Sequence, residues 1–394
     1  MIRRQCSVQP QNEEGEGNGC AAMKVSAELE SKNESLTARL RARIEQEGPI
    51  SFRDWMAAAL YDDRDGYYCR AAGVRQGRAG DYRTAPETSP LFAATFARYF
   101  SQLFVELGGP SSWIIIEVGA GSGEFAHGVL TALQARHSHV LAATTYVIDE
   151  ISAACRLRVA DRLADFADRV RFERLSEVSQ PAGAGIVFSN ELVDAFPVHR
   201  ITVRAGRLRE ICVGFDRGSF VSVECDPDNA AQDYCQRVGL QLAEGQIAEI
   251  NLAAEDFLAR AAAALTRGFV ITVDYGAGRD ELLNAPHRHE GTLRAFRRHR
   301  LVDDLLATPG TQDLTTTIDW NQIHEAGARA GLEALRHERL DQFLLCEGII
   351  DELEFLASKT TELDALRLRT SAREMIMPHG LAASFQVLVQ KKNP

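Results

Sequence analysis

Three closely spaced glycines follow a short apolar run that ends in a carboxylate. The carboxylate is Glu117, and the glycines are Gly119, Gly121 and Gly123. Glycine lets a backbone turn sharply and approach a ligand closely, because it has no Cβ. The spacing differs from G-x-G-x-x-G, since the third glycine comes two residues after the second rather than three. The pattern therefore predicts a nucleotide-type binding loop, and its carboxylate favours a ligand with a cationic or amine-bearing tail over a pyrophosphate.

The motif Glu-x-Gly-x-Gly-x-Gly after a strand resembles that of class I methyltransferases that use S-adenosyl-L-methionine (SAM). On this resemblance, the three glycines seat SAM and Glu117 binds its amino-acid end. The residues alone leave two alternatives open. The loop could bind a nicotinamide dinucleotide, or it could be a turn with a purely structural role.

A second acidic position follows the next predicted strand, residues 145–148. That strand ends in Asp149 and Glu150, and Glu150 lies 27 residues beyond Gly123. An acid at the tip of the second strand of such a fold can bind both ribose hydroxyls of a nucleotide. We therefore expect Glu150 to hold the ribose of the cofactor.

Polar side chains gather on two further loops. Asn190, Glu191 and Asp194 follow a predicted strand at residues 185–188, which places them above the sheet where a ligand binds. Asp81 and Glu87 lie on a loop between two predicted helices. We assign Asn190 to the cofactor and regard the four carboxylates as candidate catalytic groups. Each loop has an alternative explanation. The loop with Glu191 could be polar only because it is exposed to solvent, and the loop with Asp81 could be a solvated connection between helices.

The elements that must position these residues alternate between helix and strand. Amphipathic periodicity predicts N-terminal helices at residues 35–47, from Ser51 onward, and at 91–107. Strands are predicted at 113–116, 145–148, 169–172, 185–188, 269–273, 333–339 and 385–389. Helices are predicted at 152–164, at 248–266 (ended by Gly268) and at 341–368. This order predicts an α/β fold of the class I, Rossmann-like type, with a seven-stranded sheet.

Two stretches interrupt the α/β alternation. Residues 198–226 show alternating apolar positions divided by turns, which predicts a three-stranded β-meander inserted as an edge or lid. Residues 277–316 form a long connection, and long connections inside a compact domain are usually functional. Its basic cluster around Arg294 and Arg297 either grips an acidic target or forms a solvated arginine face. The predicted organisation is a disordered tail at 1–32, a helical segment with an acceptor loop at 33–110, and a core at 111–394.

Composition restricts the partners. The chain has 394 residues and a net charge of −11, which argues against general affinity for nucleic acids or anionic membranes. Its eight cysteines include no C-x-x-C pair, so we expect reduced thiols without zinc or a disulfide framework.

No apolar run approaches the length of about 18 residues that a membrane span needs. The first residues carry several glutamates, unlike a transit peptide. We therefore expect a cytoplasmic protein, with the mitochondrial matrix as the alternative, and the resemblance to known methyltransferases implies a bacterial one.

Six ordered motifs resemble those of the MidA family of SAM-dependent methyltransferases, and the match runs from about residue 34 to residue 392. The motifs occupy residues 80–92, 117–123, 189–198, 273–276, 291–295 and 309–315. The family includes a mitochondrial complex I assembly factor that methylates an arginine of a subunit of that complex. Two departures from the family pattern concern the acceptor side: residues 379–388 are longer than the C-terminal motif and lack its lysine, and Thr317 replaces a histidine or aspartate.

The resemblance implies SAM as cofactor and a protein arginine as the methyl acceptor, in a respiratory-complex subunit. Carboxylates suit an arginine acceptor because a guanidinium binds them bidentately. Glu191 and Asp194 are the first candidates, and Asp81 and Glu87 the second. Three alternatives stay open: a methyltransferase for small molecules, an assembly chaperone that binds SAM without turnover, and a Rossmann oxidoreductase. The sequence also leaves a homodimer open.

Overall fold

The computed structural model describes residues 35–70, 89–178, 182–297 and 300–394. In chain order its strands are β1 (Ile50–Ser51), β2 (Trp113–Val118), β3 (Thr144–Asp149), β4 (Val170–Phe172), β5 (Ala182–Asn190), β6 (His199–Arg204), β7 (Arg207–Asp216), β8 (Ser219–Cys225), β9 (Ile247–Ile250), β10 (Leu265–Ala277), β11 (Arg294–Arg297), β12 (Arg300–Val302), β13 (Asp313–Thr315), β14 (Ile318–Asp319), β15 (Leu332–Arg339) and β16 (Phe385–Lys392).

Several of the helices begin at a residue whose side chain caps the first turn. In chain order they are α1 (Leu36–Glu47), α2 (Phe52–Tyr61), α3 (Pro90–Glu106), α4 (Glu124–Arg136), α5 (Ser138–Ala143), α6 (Ala153–Arg162), α7 (Asn229–Val238), α8 (Leu252–Ala263), α9 (Arg279–Asn284), α10 (Trp320–Arg329), α11 (Leu340–Cys346), α12 (Ile349–Ala357) and α13 (Glu362–Ile376). The Ser51 side chain accepts a hydrogen bond from the Asp54 amide at 3.0 Å, and Asp319 caps α10 in the same way. Such caps satisfy backbone donors that the first turn leaves free.

The main sheet confirms the predicted fold class. Seven strands lie in the order β15-β16-β10-β5-β2-β3-β4, and β14 pairs with β10 at one end. The strands from β10 to β4 run parallel, whereas β16 runs antiparallel to both β10 and β15. From β2 the chain adds β3 and β4 on one side of the sheet, and then returns to add β5 and β10 on the other side. The order of the strands therefore reverses between β2 and β5, and ligands of parallel α/β sheets bind at such a switch point.

Aromatic rings fill one face of this sheet. Helix α3 carries Phe92, Phe96 and Phe100 at intervals of four residues, and all three are fully buried. They pack against Phe125 of α4 and Phe188 of β5, whose rings stack with centroids 4.2 Å apart. The rings form a rigid base below the loops at the carboxyl ends of the strands.

The inserted meander forms a sheet of its own rather than an edge of the main sheet. Strands β6, β7 and β8 are joined by β1 from the N-terminal segment and by β9. The sequence placed β9 inside a helix at 248–266, which is wrong: Ile247–Ile250 pairs with β6, and the helix is Leu252–Ala263. Gly268 ends no helix. It lies inside β10, where a Cβ would collide with the carbonyl oxygen of Gly185.

Two other predicted segments contain more structure than their patterns indicate. The long connection at 277–316 folds in part into a three-stranded antiparallel sheet, β12-β11-β13. The helical stretch predicted at 341–368 consists of three helices, α11 to α13, and the last extends to Ile376. Within the described ranges, we find no helix that is long and apolar enough to cross a membrane.

Candidate active site

A cavity of about 1300 Å³ lies above the carboxyl ends of β2, β3, β5 and β10. The glycine loop and Glu150 line one half of it. The other half is lined by the loop after β5, by the end of β10, by α2 and by one face of the small sheet β12-β11-β13. This volume exceeds what a cofactor alone requires, since pockets for single small ligands hold about 300–1000 Å³.

The glycine loop adopts a backbone conformation that requires glycine. The φ angles of Gly119, Gly121 and Gly123 are 78°, 55° and 76°. A Cβ at Gly119 would lie 2.9 Å from the Leu192 side chain, and one at Gly123 would lie 3.1 Å from Val159. Gly119 and Gly121 line the cavity, whereas Gly123 begins α4. The loop can therefore bring its backbone against a ligand.

Glu150 lies in the cavity beside this loop. One of its carboxylate oxygens accepts a hydrogen bond from the Gly121 amide at 2.9 Å, and the other accepts one from the Ser152 amide at 2.8 Å. Burial raises the pKa of Glu150, and the two amides oppose that shift. Each oxygen keeps acceptor capacity for a further donor, so the carboxylate can receive both hydroxyls of a ribose.

Asp149 also lines the cavity, but its carboxylate is committed to the protein. It accepts a hydrogen bond from the Leu175 amide at 2.8 Å and forms an ion pair with Arg174 at 2.6 Å. These contacts hold the segment after β4 against the end of β3. Of the two adjacent acids, Glu150 is thus better arranged for the ribose.

Glu117 is not among the described residues that line the cavity. Its side chain is buried beneath the loop, and it accepts a hydrogen bond from the Tyr146 hydroxyl at 2.7 Å. Burial raises the pKa of Glu117 to about 8, and the Tyr146 hydrogen bond offsets only part of that shift. This placement does not support the predicted contact with the amino-acid end of SAM. Glu117 instead packs between β2 and β3.

Asn190 and Glu191 enter the cavity at the end of β5. Glu191 has a φ of 49°, which is rare for a residue with a side chain, and its amide donates to the Val273 carbonyl at 2.9 Å. The Asn190 side-chain amide donates to the Glu191 carboxylate at 3.1 Å. The carbonyl oxygen of the Asn190 side chain is buried, and we find no hydrogen-bond partner for it within the described part of the chain. Strained backbone conformations of this kind often occur at functional positions, and Glu191 has one.

Asp274 organises this loop, although the sequence patterns did not single it out as a site residue. Its carboxylate accepts hydrogen bonds from the amides of Val193 and Asp194 at 3.0 and 3.3 Å, and from the amide of Tyr275 at 2.9 Å. Burial raises the pKa of Asp274 to about 7. Its position at the end of the fifth core strand, β10, was the available signal, because strand ends in this fold carry site residues.

Asp194 lies in the same cavity and is nearly inaccessible to solvent. Burial and the adjacent Asp274 carboxylate raise the pKa of Asp194 well above its ordinary value. Its Oδ1 atom has no hydrogen-bond partner among the residues described. The Tyr275 side chain is hydrogen-bonded to the same carboxylate, and the unpaired oxygen keeps acceptor capacity for a donor from a ligand.

Tyrosines and a further carboxylate complete this half of the cavity. The Tyr68 hydroxyl donates to Asp313 at 2.6 Å, and the Tyr61 hydroxyl donates to the carbonyl oxygen of Ala195 at 2.9 Å. Tyr275 also lines the cavity. The sequence indicated none of these four side chains as site residues, because they come from distant parts of the chain.

The small sheet turns one face to the cavity. Arg294 of β11 lies opposite Thr315 of β13, and Phe296 lies opposite Asp313. All four line the cavity, whereas Ala295, between them, is buried in the core behind. The predicted acceptor residues Asp81 and Glu87, and the predicted tail at 1–32, lie outside the described residues.

These features fit SAM. The glycine loop lines the cavity with backbone in a conformation that favours glycine, Glu150 suits the ribose, and the unpartnered Asn190 oxygen suits a donor such as an amine. Together with the switch point of the sheet, they define a class I SAM-dependent methyltransferase.

Comparison with known proteins agrees. Residues 95–337 match the model of a family described as S-adenosyl-L-methionine-dependent methyltransferases. This match covers more than half of the chain, and the chain belongs to that family.

A crystal structure from Burkholderia thailandensis with S-adenosyl-homocysteine bound is similar to the chain. The sequences are 30% identical, the TM-score is 0.79, and the alignment covers 97% of this chain and 96% of the other. Among curated proteins, the mitochondrial "Protein arginine methyltransferase NDUFAF7 homolog" of Drosophila melanogaster is 24% identical over 92% of this chain and 82% of its own. The mouse protein of that name, without "homolog", is 24% identical over 88% of this chain and 82% of its own.

Proposed function

We propose that this methyltransferase acts on arginine side chains of a protein. The observation that carries the proposal is the acceptor half of the cavity, where Glu191, Asp194 and Asp313 gather beside three tyrosines. Carboxylates bind a guanidinium through paired, charge-assisted hydrogen bonds. The curated relatives are named as protein arginine methyltransferases, which supports the same acceptor.

The reaction is an in-line displacement. SAM supplies a methyl group on a positively charged sulfur, the acceptor nitrogen forms the new bond to carbon, and the carbon–sulfur bond breaks with its electrons left on sulfur. The acceptor nitrogen loses one proton, and the Glu191 carboxylate takes it. The protein contributes mainly by holding the nitrogen in line and by excluding water.

Asp194 couples acceptor binding to its own charge. Burial and the Asp274 carboxylate disfavour the ionised form of Asp194 and so raise its pKa well above the ordinary value. An arriving guanidinium reverses this balance, since a nearby opposite charge favours the ionised carboxylate. The strained backbone at Glu191 and the three hydrogen bonds from backbone amides to the Asp274 carboxylate fix the positions of Glu191 and Asp194 before the acceptor arrives.

Within this proposal, the substrate is a subunit of a respiratory complex, and the reaction takes place in a bacterial cytoplasm. The curated relatives are named as mitochondrial proteins, so the mitochondrial matrix is the alternative location. A homodimer stays a prediction that light scattering on the purified protein tests.

The test is transfer of labelled methyl from SAM to a proteome that has not been methylated. The purified protein is incubated with a lysate of a strain lacking its gene, and the labelled products are hydrolysed and separated. Methylarginine is the expected product, and Gly121→Val is the matched inactive control. Label in lysine or in small molecules overturns the arginine assignment, and SAM binding without any transfer supports the chaperone alternative.

A further inference from the structure

Two arginines from the long connection at 277–316, Arg288 and Arg294, are among the residues that line the cavity. The basic cluster of the long connection therefore does not face solvent alone. The Nη1 atom of Arg288 is buried, and it has no hydrogen-bond partner among the described residues. The Nη2 atom of Arg288 forms an ion pair with Glu281 at 3.3 Å, and the Glu281 side chain is 64% exposed. We find no ion pair for Arg294 within the ranges that the structure describes.

The segment between these arginines is firmly held. The Glu249 carboxylate accepts hydrogen bonds from the amide and the hydroxyl of Thr292, at 2.8 and 3.2 Å. Glu249 is itself paired with Arg200 at 3.4 Å, and both side chains are nearly inaccessible to solvent. The Gly291 amide donates to the Arg288 carbonyl at 2.9 Å. The two cations are thus attached to an anchored frame, which lowers the entropy cost of binding an anion.

The register of the small sheet sets the distance between Arg294 and Asp313. Phe296 lies directly opposite Asp313, so Arg294 is the diagonal neighbour of Asp313 on the cavity face. Diagonal neighbours in an antiparallel pair are about 7–8 Å apart. In an extended peptide, side chains two residues apart lie on the same side and about 7 Å apart. The spacing between cation-binding and anion-binding groups of the wall therefore matches positions i and i+2 of an extended chain.

We propose that Arg294, with Arg288, binds an acidic side chain two residues from the methylated arginine of the protein substrate. This inference rests on the proposed function for the target arginine, which Asp313 faces. Phe296, which lies directly opposite Asp313 and two residues from Arg294 on β11, adds an apolar contact beside the charged positions. The site then selects its substrate by an Arg-x-Asp/Glu or Asp/Glu-x-Arg pattern in an extended segment.

Equilibrium binding tests this pattern without the need for turnover. Fluorescent 13-residue peptides with a central arginine are titrated into the protein saturated with S-adenosyl-homocysteine, and anisotropy gives Kd. One set carries Asp, Ala or Lys at both positions two residues from the arginine, and a register control carries Asp at the adjacent positions instead. We expect the Asp peptide to bind about tenfold or more tightly than the Lys peptide, and the register control to bind like the Ala peptide.

Charge reversal then assigns the residues. Arg294→Glu should reverse the order of the Asp and Lys peptides, and Arg288→Glu should weaken the preference. Arg369→Glu, an exposed arginine of α13, is the matched control and should leave the order unchanged. Equal affinities for all peptides, or a preference that survives both reversals, overturn the inference. Loss of S-adenosyl-homocysteine affinity in Arg294→Glu overturns it as well, because the arginine then belongs to the cofactor. Displacement of all peptides equally by inorganic phosphate assigns the pair to a phosphate group instead.

These outcomes are distinct from those of the proposed function. If arginine is methylated without regard to charge at this position, the arginine assignment stands and the recognition pattern fails. If the Asp peptide binds as expected but lysine replaces arginine without loss of affinity or turnover, the pattern stands and the arginine assignment fails.

Discussion

The Glu150 carboxylate, just after β3, accepts a hydrogen bond at 2.9 Å from the amide of Gly121, in the loop that follows the neighbouring strand β2. This bond joins two residues that are 29 positions apart and fixes the cofactor loop to the group proposed to bind the ribose. The loop and the carboxylate therefore form one unit, and changes in either should disturb the other.

Gly121→Val should abolish SAM binding. Its φ of 55° strains any β-branched residue, and Gly121 lines the cavity and donates its amide to Glu150. Calorimetry on a folded variant measures the effect. Gly239→Val is the matched control, because Gly239 has a φ of 63° and open space around it, away from the cavity. Wild-type affinity in Gly121→Val would refute the glycine-loop assignment.

Glu150→Ala should weaken SAM by about 2–4 kcal/mol, since two ribose hydroxyls and two backbone amides lose a charged acceptor. The dissociation constant is measured by calorimetry at pH 7.5. Asp149→Asn is the companion variant, and its effect on SAM should be smaller because Asp149 is committed to Arg174 and Leu175. A loss below about tenfold in Glu150→Ala, with a larger loss in Asp149→Asn, would transfer the ribose role to Asp149.

Glu117→Gln should change the pH dependence of stability and leave SAM affinity within a few-fold of wild type. The ordinary pKa of 4.5 is raised to about 8 in the folded protein, so the folded state binds the proton more tightly than the unfolded state does. The stabilisation is present in full below about pH 4.5 and is lost as the pH rises toward 8. Glutamine cannot ionise, so this loss should disappear. Urea unfolding at pH 5 and pH 8 measures the difference between variant and wild type.

The same variant decides the role of Glu117. Tyr146→Phe is its companion, because it removes the hydrogen bond to Glu117 without touching the cavity. If SAM affinity collapses in Glu117→Gln while Tyr146→Phe binds normally, then Glu117 contacts the cofactor as its sequence position suggested.

Glu191→Gln should leave SAM affinity nearly unchanged and lower kcat/KM by about 10²–10³-fold, comparable to the loss of one well-placed electrostatic contact. The amide keeps the shape of the side chain but loses the charge that orients the acceptor nitrogen and takes its proton. Initial rates with the labelled cofactor measure it, and calorimetry supplies the control. A parallel fall in SAM affinity would place Glu191 in the cofactor site, and no change in either quantity would make it structural.

Local patterns predicted most of the core and the cofactor half of the site. Helix caps at Ser35 and Ser51, and the apolar strands before Glu117 and Asp149, depend on residues near in sequence, so they are visible without a structure. Parallel strands end at one edge of a sheet, and this rule alone brought Gly121, Glu150 and Glu191 together. The order of these elements was sufficient for the fold class.

Pairing between distant segments decided the rest. Ile247–Ile250 became a strand because β6 offered it a partner, and a local helical pattern could not show that. The Glu117 side chain is hydrogen-bonded to Tyr146 of the neighbouring strand, a contact that the motif alone does not show. Asp313 and Tyr68 lie 245 residues apart, and their contact exists only because the small sheet folds against α2. The sequence by itself predicted Gly121 and Glu150 as candidate cofactor groups, because their positions follow from local patterns and the ends of parallel strands. Tertiary structure excluded Glu117 from the cavity and decided which groups face the proposed acceptor, because only folding brings those distant segments together.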